Sequence, residues 1–257
     1  MPDLKTLYLN HLKRSLIDIS NRDLPETIID PGSFEEGTQP EWFNHFWFGT
    51  TLTMCGLKKL DSVQFCVEDC LARNVPGDLI ECGVWRGGVS ILMRAVLAAH
   101  NVTHRVVWVA DSFEGLPTPP PGSQDAVMHQ LPALIDANHY AVDLPTVKAN
   151  FQRYGLLDEQ VRFLPGWFAD TLSDAPIEQI ALLRVDGDYY ESTLDILTNL
   201  YPRLAPGGYI ILDDWGLPVC GEKQAVLEYR AAHGITDEII EVDWQSAYWC
   251  KGSGTSS

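Results

Sequence analysis

No apolar run in these 257 residues approaches the roughly 20 that a membrane-spanning helix needs. The start, Met1-Pro2-Asp3-Leu4-Lys5, carries no apolar signal region, so the expected location is the cytoplasm. Basic residues are scarce: 18 Lys and Arg against 35 Asp and Glu, a net charge of −17. That balance argues against a nucleic-acid partner, which needs a basic surface, and against an anionic membrane surface as well. Cysteines are few and scattered, at 55, 66, 70, 82, 220 and 250. Their spacing gives no disulfide framework, zinc ribbon or redox pair, and burial as small apolar residues is the expected role of Cys66 and Cys70. Also missing are a G-x-G-x-x-G fingerprint and the lysine and hydroxyl of a P-loop. What remains is a chain with 46% hydrophobic residues, long enough for one large α/β domain with a sizeable core.

The order of elements is legible from periodicity. Residues 3–20 carry Leu4, Leu7, Leu9, Leu12, Leu16 and Ile17 near helical spacing, and 51–74 return to that spacing. Between them, 21–50 are rich in Pro, Gly, Glu and aromatics, as in Phe46-Trp47-Phe48; this segment reads either as a lid or subunit contact or as ordinary packing. A strand–helix rhythm then begins, with strands expected at 78–82, 106–110, 161–164, 180–185 and 208–212. Helices are expected at 88–100, around 143–154 and around 190–202. An antiparallel pair closes the chain near 239–242 and 247–249. Strands alternating with helices imply a doubly wound, Rossmann-like sheet, mostly parallel with an antiparallel C-terminal hairpin. The expected organisation is 1–74 as N-terminal helices and lid, 75–251 as the core, and 252–257 as a flexible tail.

Two acidic stretches carry the most chemistry. Arg184-Val185-Asp186-Gly187-Asp188 and Ile211-Leu212-Asp213-Asp214-Trp215 each follow an apolar run. Such runs read as buried strands whose carboxyl ends carry the polar groups, where open parallel sheets bind their ligands. Four carboxylates on one edge repel each other. A hard divalent cation such as Mg2+ relieves that repulsion and leaves one carboxylate over as a base. For Asp188 two readings stand, the base or the N-cap of the helix that follows.

A second constellation lies at the first two strands. Glu81-Cys82-Gly83-Val84-Trp85-Arg86-Gly87-Gly88 joins strand to helix. Its glycines let backbone approach a ligand, and the acid Glu81 favours an amine-bearing one. Asp111 ends the next strand, where this kind of fold places an acid on ribose hydroxyls. Acid, glycine turn and second acid together suit S-adenosylmethionine, although a tight structural turn also explains the glycines.

The resemblance then becomes specific. The motifs are Thr53-Met54-Cys55-Gly56-Leu57-Lys58-Lys59-Leu60, the 81–88 turn, Ala110-Asp111-Ser112-Phe113-Glu114-Gly115-Leu116-Pro117, Asp143-Leu144-Pro145 and Asn150-Phe151. Arg153-Tyr154-Gly155-Leu156, Leu164-Pro165-Gly166-Trp167-Phe168, Arg184 to Tyr190, Pro206-Gly207-Gly208 and Asp213-Asp214 continue them in order over about 50–250. In these the chain resembles the macrocin O-methyltransferases, metal-dependent enzymes that methylate sugar hydroxyls on glycosylated natural products. The first 50 residues match less clearly, and they would carry acceptor choice.

The resemblance implies a class I S-adenosylmethionine-dependent methyltransferase fold, an acceptor that is a glycosylated small molecule, and a homo-oligomer. It implies Asp186, Asp213 and Asp214 as magnesium ligands and Asp188 as general base. Glu81, Gly83, Asp111, Ser112 and Asp186 would line the methyl-donor site, Trp167 would lie near the adenine, and Thr53 and Met54 would close over the donor. His139, in the loop before the third strand, is either a second catalytic candidate or an ordinary loop residue. The rivals are a catechol-type O-methyltransferase acting on an aromatic diol and a non-catalytic scaffold that keeps only the fold. A scaffold has no use for so costly a cluster of like charges.

Overall fold

Apolar strands alternating with amphipathic helices have one economical solution, a sheet covered on both faces. The structure, a computed structural model, describes residues 2–19, 49–123, 125–126, 137–217 and 220–252. Most of 21–50, and the end of the chain beyond 252, lie outside the described residues, so the lid and tail expectations are not addressed by it. The strands are β1 (Asp78–Cys82), β2 (Val107–Asp111), β3 (Val161–Pro165), β4 (Ile180–Val185), β5 (Leu204–Leu212), β6 (Ile240–Glu241) and β7 (Ala247–Cys250). They form one sheet in the order β3-β2-β1-β4-β5-β7-β6. Strands β1 to β5 run parallel, and β7 enters antiparallel between β5 and β6. This is the class I methyltransferase arrangement that the sequence led us to expect.

Among the described residues, six longer helices accompany the sheet: α1 (Leu4–Leu16), α2 (Leu57–Ala72), α3 (Gly88–Ala99), α4 (Leu144–Arg153), α5 (Tyr190–Leu200) and α6 (Glu222–Ala232). Side chains alternate along each strand, so each strand feeds two cores. Leu79, Val107, Val109, Leu182 and Ile211 join Leu9, Leu16, Leu60, Val67, Leu92 and Phe151 on one face. Ile80, Cys82, Leu183, Ile210 and Leu212 join Ile196, Leu200, Val226 and Trp249 on the other. Cys66 and Cys70 are fully buried, as their spacing implied.

Two boundaries differ from the sequence reading. The fifth strand starts at Leu204 rather than 208, because Gly207 takes φ 82 and donates its N–H to the Lys251 carbonyl. The chain thereby continues through Pro206-Gly207-Gly208 with a register shift instead of breaking there. The helix expected over 51–74 begins only at Leu57. Residues 49–56 form an irregular strap, tied by Leu52 N–H to the Leu16 carbonyl and by Gly88 N–H to the Leu52 carbonyl.

The chain runs β1-β2-β3 to one side and β4-β5 to the other, so the strand order reverses between β1 and β4. Ligands bind at the carboxyl ends beside such a reversal. Past the strand ends the ladder continues: Gly83 N–H donates to the Ala110 carbonyl, Asp186 N–H to Cys82 and Asp213 N–H to Val185. Four strand tips, with every acid singled out above, are thereby drawn to one edge.

Candidate active site

At the β1 tip the chain turns through Gly83 at φ 87. A Cβ there would stand 1.8 Å from the Asp186 carbonyl oxygen, so only glycine permits the approach. Gly87, also left-handed, leads into α3. The Asp111 carboxylate accepts from Val84 N–H at 2.7 Å and Phe113 N–H at 2.8 Å, which locks the turn to the end of β2. Burial raises the pKa of Asp111 and these backbone donors oppose the rise. The Ser112 hydroxyl donates to the Gly115 carbonyl and shapes the loop after β2. Gly166 N–H donates to the Asp111 carbonyl, setting the turn that leads into Trp167. Thr53 packs against the start of α3, and the neighbouring Met54 is half-buried on the same core. Arg86 donates to the Gly49 and Thr51 carbonyls and stacks on Trp85, fastening the strap over the turn.

Glu81 sits deeper than its position near the strand end implied. It is 1% exposed, accepts from Arg184 Nη1 at 2.7 Å, and takes a short hydrogen bond from the Ser90 hydroxyl. Burial pushes its pKa up to about 7 against the pull of Arg184. Arg184 is a residue the sequence reading passed over. Its guanidinium also meets Asp186 at 2.8 Å and Asp213 at 2.6 Å, so one buried cation links three carboxylates on neighbouring strands. Lys59 of α2, 4% exposed, adds a second cation 3.1 Å from Asp213. Burial alone would raise the Asp213 pKa; Arg184 and Lys59 reverse that and hold it below the usual carboxylate range.

The remaining acids are less well served. Asp186 is raised to about 6 by burial, partly countered by Arg184. Asp188 is raised to about 8 by burial and by the charges of Asp186 and Asp213. Asp214, 5% exposed, is pushed well up by burial and by Asp188, and its Oδ2 finds no donor among the described residues. Glu222 of α6, fully buried, accepts from Asp214 N–H at 3.0 Å, while its Oε2 has no donor among the described residues either. Six carboxyl groups therefore share two buried cations.

The structure brings together the three residues expected to bind metal. Oxygens of Asp186, Asp213 and Asp214 lie within 4.8 Å of one another, and the unpaired Asp214 oxygen fits a divalent cation. Asp188 falls in a separate group with Asp214 and Cys220. Its alternative role as helix cap is corrected: Tyr189 is the N-cap residue of α5, and Asp188 lies before it at φ 55. The orphan N–H groups of Tyr190 and Glu191 instead donate to Asp125, at 2.8 and 3.4 Å, from the loop after β2. His139 lies against Trp85, ring centroids 5.2 Å apart, with its carbonyl accepting from the Trp85 indole. The following residue, Tyr140, feels the charges of Asp188 and Asp214, which with burial raise its pKa.

The geometry agrees with known proteins. A family profile, Macrocin-O-methyltransferase (TylF), matches residues 11–251. The chain is 50% identical over 249 residues to the 8-demethyl-8-(2,3-dimethoxy-alpha-L-rhamnosyl)-tetracenomycin-C 4'-O-methyltransferase of Streptomyces olivaceus, covering 96% of this chain and 93% of that one. It is 47% identical over 251 residues to the mycinamicin III 3''-O-methyltransferase of Micromonospora griseorubida, covering 95% of each. The solved structure of the O-methyltransferase NovP superposes with a TM-score of 0.82 at 44% identity, over 96% of this chain and 99% of that one. CalS11, a calicheamicin methyltransferase, shares the fold with a TM-score of 0.62 at 18% identity, covering 98% of this chain and 95% of the other. The chain belongs to the macrocin O-methyltransferase family.

Proposed function

We propose that this O-methyltransferase moves the methyl group of S-adenosylmethionine to a sugar hydroxyl of a glycosylated natural product, with Mg2+ held by Asp186, Asp213 and Asp214 and Asp188 as general base. The observation that carries the reading is the edge where β4 and β5 end: three carboxylates with oxygens within 4.8 Å of one another, and Asp188 beside them but outside their group. Relatives named for methylating a rhamnosyl-bearing tetracenomycin and mycinamicin III support the acceptor class.

Methyl transfer from a sulfonium is an in-line displacement, so catalysis here is chiefly positioning. Magnesium bound to the three aspartates would supply Lewis acidity, lowering the pKa of a sugar hydroxyl that is otherwise a poor nucleophile. Arg184 and Lys59 keep Asp213 ionised and fixed. Asp188, beside the three aspartates but outside their group, would accept the acceptor's proton once bound Mg2+ offsets the repulsion that otherwise favours its protonated form. On the donor side the 81–88 turn supplies backbone N–H groups, Asp111 the ribose contact, and Trp167 a flat face beside it. Glu81 draws the donor's amino group toward the β1 tip while holding Arg184 in place.

The test is the mass gain of one methyl in a rhamnosylated macrolide or polyketide glycoside incubated with donor. The gain should disappear with a chelator and return with Mg2+. Methylation of a simple catechol in preference to the glycoside would overturn the acceptor assignment, and chelator-resistant turnover would overturn the metal assignment.

A further inference from the structure

The functional reading leaves Cys220 unused. Its thiol sits where a small apolar cluster, Tyr189 with Leu116 and Leu217, meets the acidic group of Asp188 and Asp214. It is 8% exposed, its Sγ lies 4.0 Å from Asp188 Oδ1, and the ligand atoms of Asp188, Asp214 and Cys220 lie within 4.8 Å of one another. Two independent observations mark this as a place for a cation. Among the described residues, Asp214, nine-tenths and more buried, has an oxygen without a donor, and the adjacent, fully buried Glu222 has another.

Cys55 provides the contrast. It too lies near a site acid, 3.5 Å from Asp213. There Arg184 Nη2 stands 3.3 Å from the sulfur and Lys59 binds the same aspartate, so the positive charge is already supplied. Among the described residues, neither Arg184 nor Lys59 forms an ion pair with Asp188 or Asp214.

Ligand softness then selects the ion. Magnesium takes oxygen ligands, whereas a thiolate with carboxylates suits Zn2+ or Co2+. We propose that Asp188, Asp214 and Cys220 form a second cation site that takes a thiophilic divalent ion, shares Asp214 with the proposed magnesium set, and shuts off turnover when filled. On binding, the Cys220 S–H bond breaks heterolytically, its proton passes to solvent and an S–metal bond forms; no electrons are exchanged. The ion occupies the lone pairs of Asp188, so the inhibitory consequence rests on Asp188 as base, while the site itself does not.

The experiment adds Co2+ to the chelator-treated full-length protein and records near-ultraviolet and visible absorption, alongside equilibrium dialysis with Zn2+. Expected is a sulfur-to-cobalt charge-transfer band that vanishes in Cys220→Ser and Cys220→Ala but persists in Cys55→Ser. Zn2+ affinity should fall by at least about tenfold in both Cys220 variants, the usual scale for a lost metal-site interaction. In activity assays at fixed Mg2+, inhibition by Zn2+ should weaken by a similar factor in Cys220→Ser. Circular dichroism and donor binding verify that each variant is folded. Absence of the band in the native protein, or its survival in both Cys220 variants, overturns the site. If turnover proves independent of Mg2+ while the cobalt band still follows Cys220, the magnesium reading fails and this one stands.

Discussion

The two halves of the sheet edge are built on opposite principles. At the tips of β1 and β2, each acid is satisfied by the protein itself: Glu81 by Arg184 and Ser90, Asp111 by two backbone N–H groups. At the tips of β4 and β5, Asp214 and the neighbouring Glu222 each leave an oxygen without a donor among the described residues, and Asp186, Asp188 and Asp213 crowd beside them. The first half is finished before any ligand arrives. The second is held together under mutual repulsion, which burial intensifies. A preorganised half next to an under-neutralised half is what the proposed reading, a positioning enzyme that recruits a cation, would require.

The largest effect should come from the crowded half. Asp188→Asn should lower kcat by about 10²–10⁴-fold, the range for loss of a general base, with the Mg2+ requirement nearly unchanged. The chelated variant should melt higher than the parent at pH 8, because one repelling charge is gone and the cap of α5, Asp125, is untouched. A shift in Mg2+ requirement alone would make Asp188 a ligand instead. Arg184→Met joins the two halves in one experiment. It strips a cation from three carboxylates and should cost about 3–5 kcal/mol in denaturant unfolding, as breaking a buried ion pair does.

The contrast also has a pH signature. Carboxyls whose pKa is raised on folding, Asp186 to about 6 and Asp188 to about 8, bind more protons in the folded than in the unfolded chain. The stability they contribute is complete below the ordinary carboxylate range and is lost as pH rises through the folded values. The chelated protein should therefore melt at lower temperature at pH 8 than at pH 5. Added Mg2+ should restore more at pH 8, by about 2.7 kcal/mol at a hundredfold excess over its Kd. Equal melting at both pH values would remove the repulsion from the account.

On the finished half, Asp111→Ala should weaken donor binding by about 1–3 kcal/mol in calorimetry, the cost of stranding buried hydrogen-bonding groups. An unchanged Kd would place the ribose elsewhere. The smallest effect belongs to Asp125→Ala, which uncaps α5 and should cost about 0.5–2 kcal/mol of stability, with Asp125→Asn restoring most of it.

The sheet was legible because its signals are local. A run as short as Ile180-Ala181-Leu182-Leu183 fits a core strand better than a helix, and the acids that follow then stand at its end. The glycine turn and the terminal hairpin are legible for the same reason. Long-range pairing was not. Lys59 meets Asp213 across 154 residues, and Asp125 caps a helix 65 residues away. Neither partnership leaves a mark on its own segment. Arg184 did leave one, since a charge inside an otherwise apolar strand has to find partners when buried. Cys220 left none, because a single cysteine after a loop reads as small and apolar until its neighbours are known.

The contact between Gly83 and the Asp186 carbonyl bears on how such enzymes can be recombined. It joins the first and fourth strands where any side chain would force them apart. Chimaeras between relatives whose crossovers keep Gly83 and the 186–188 segment together leave this joint intact. A crossover that brings a larger residue to position 83 wedges the two halves open, whatever acceptor machinery it imports.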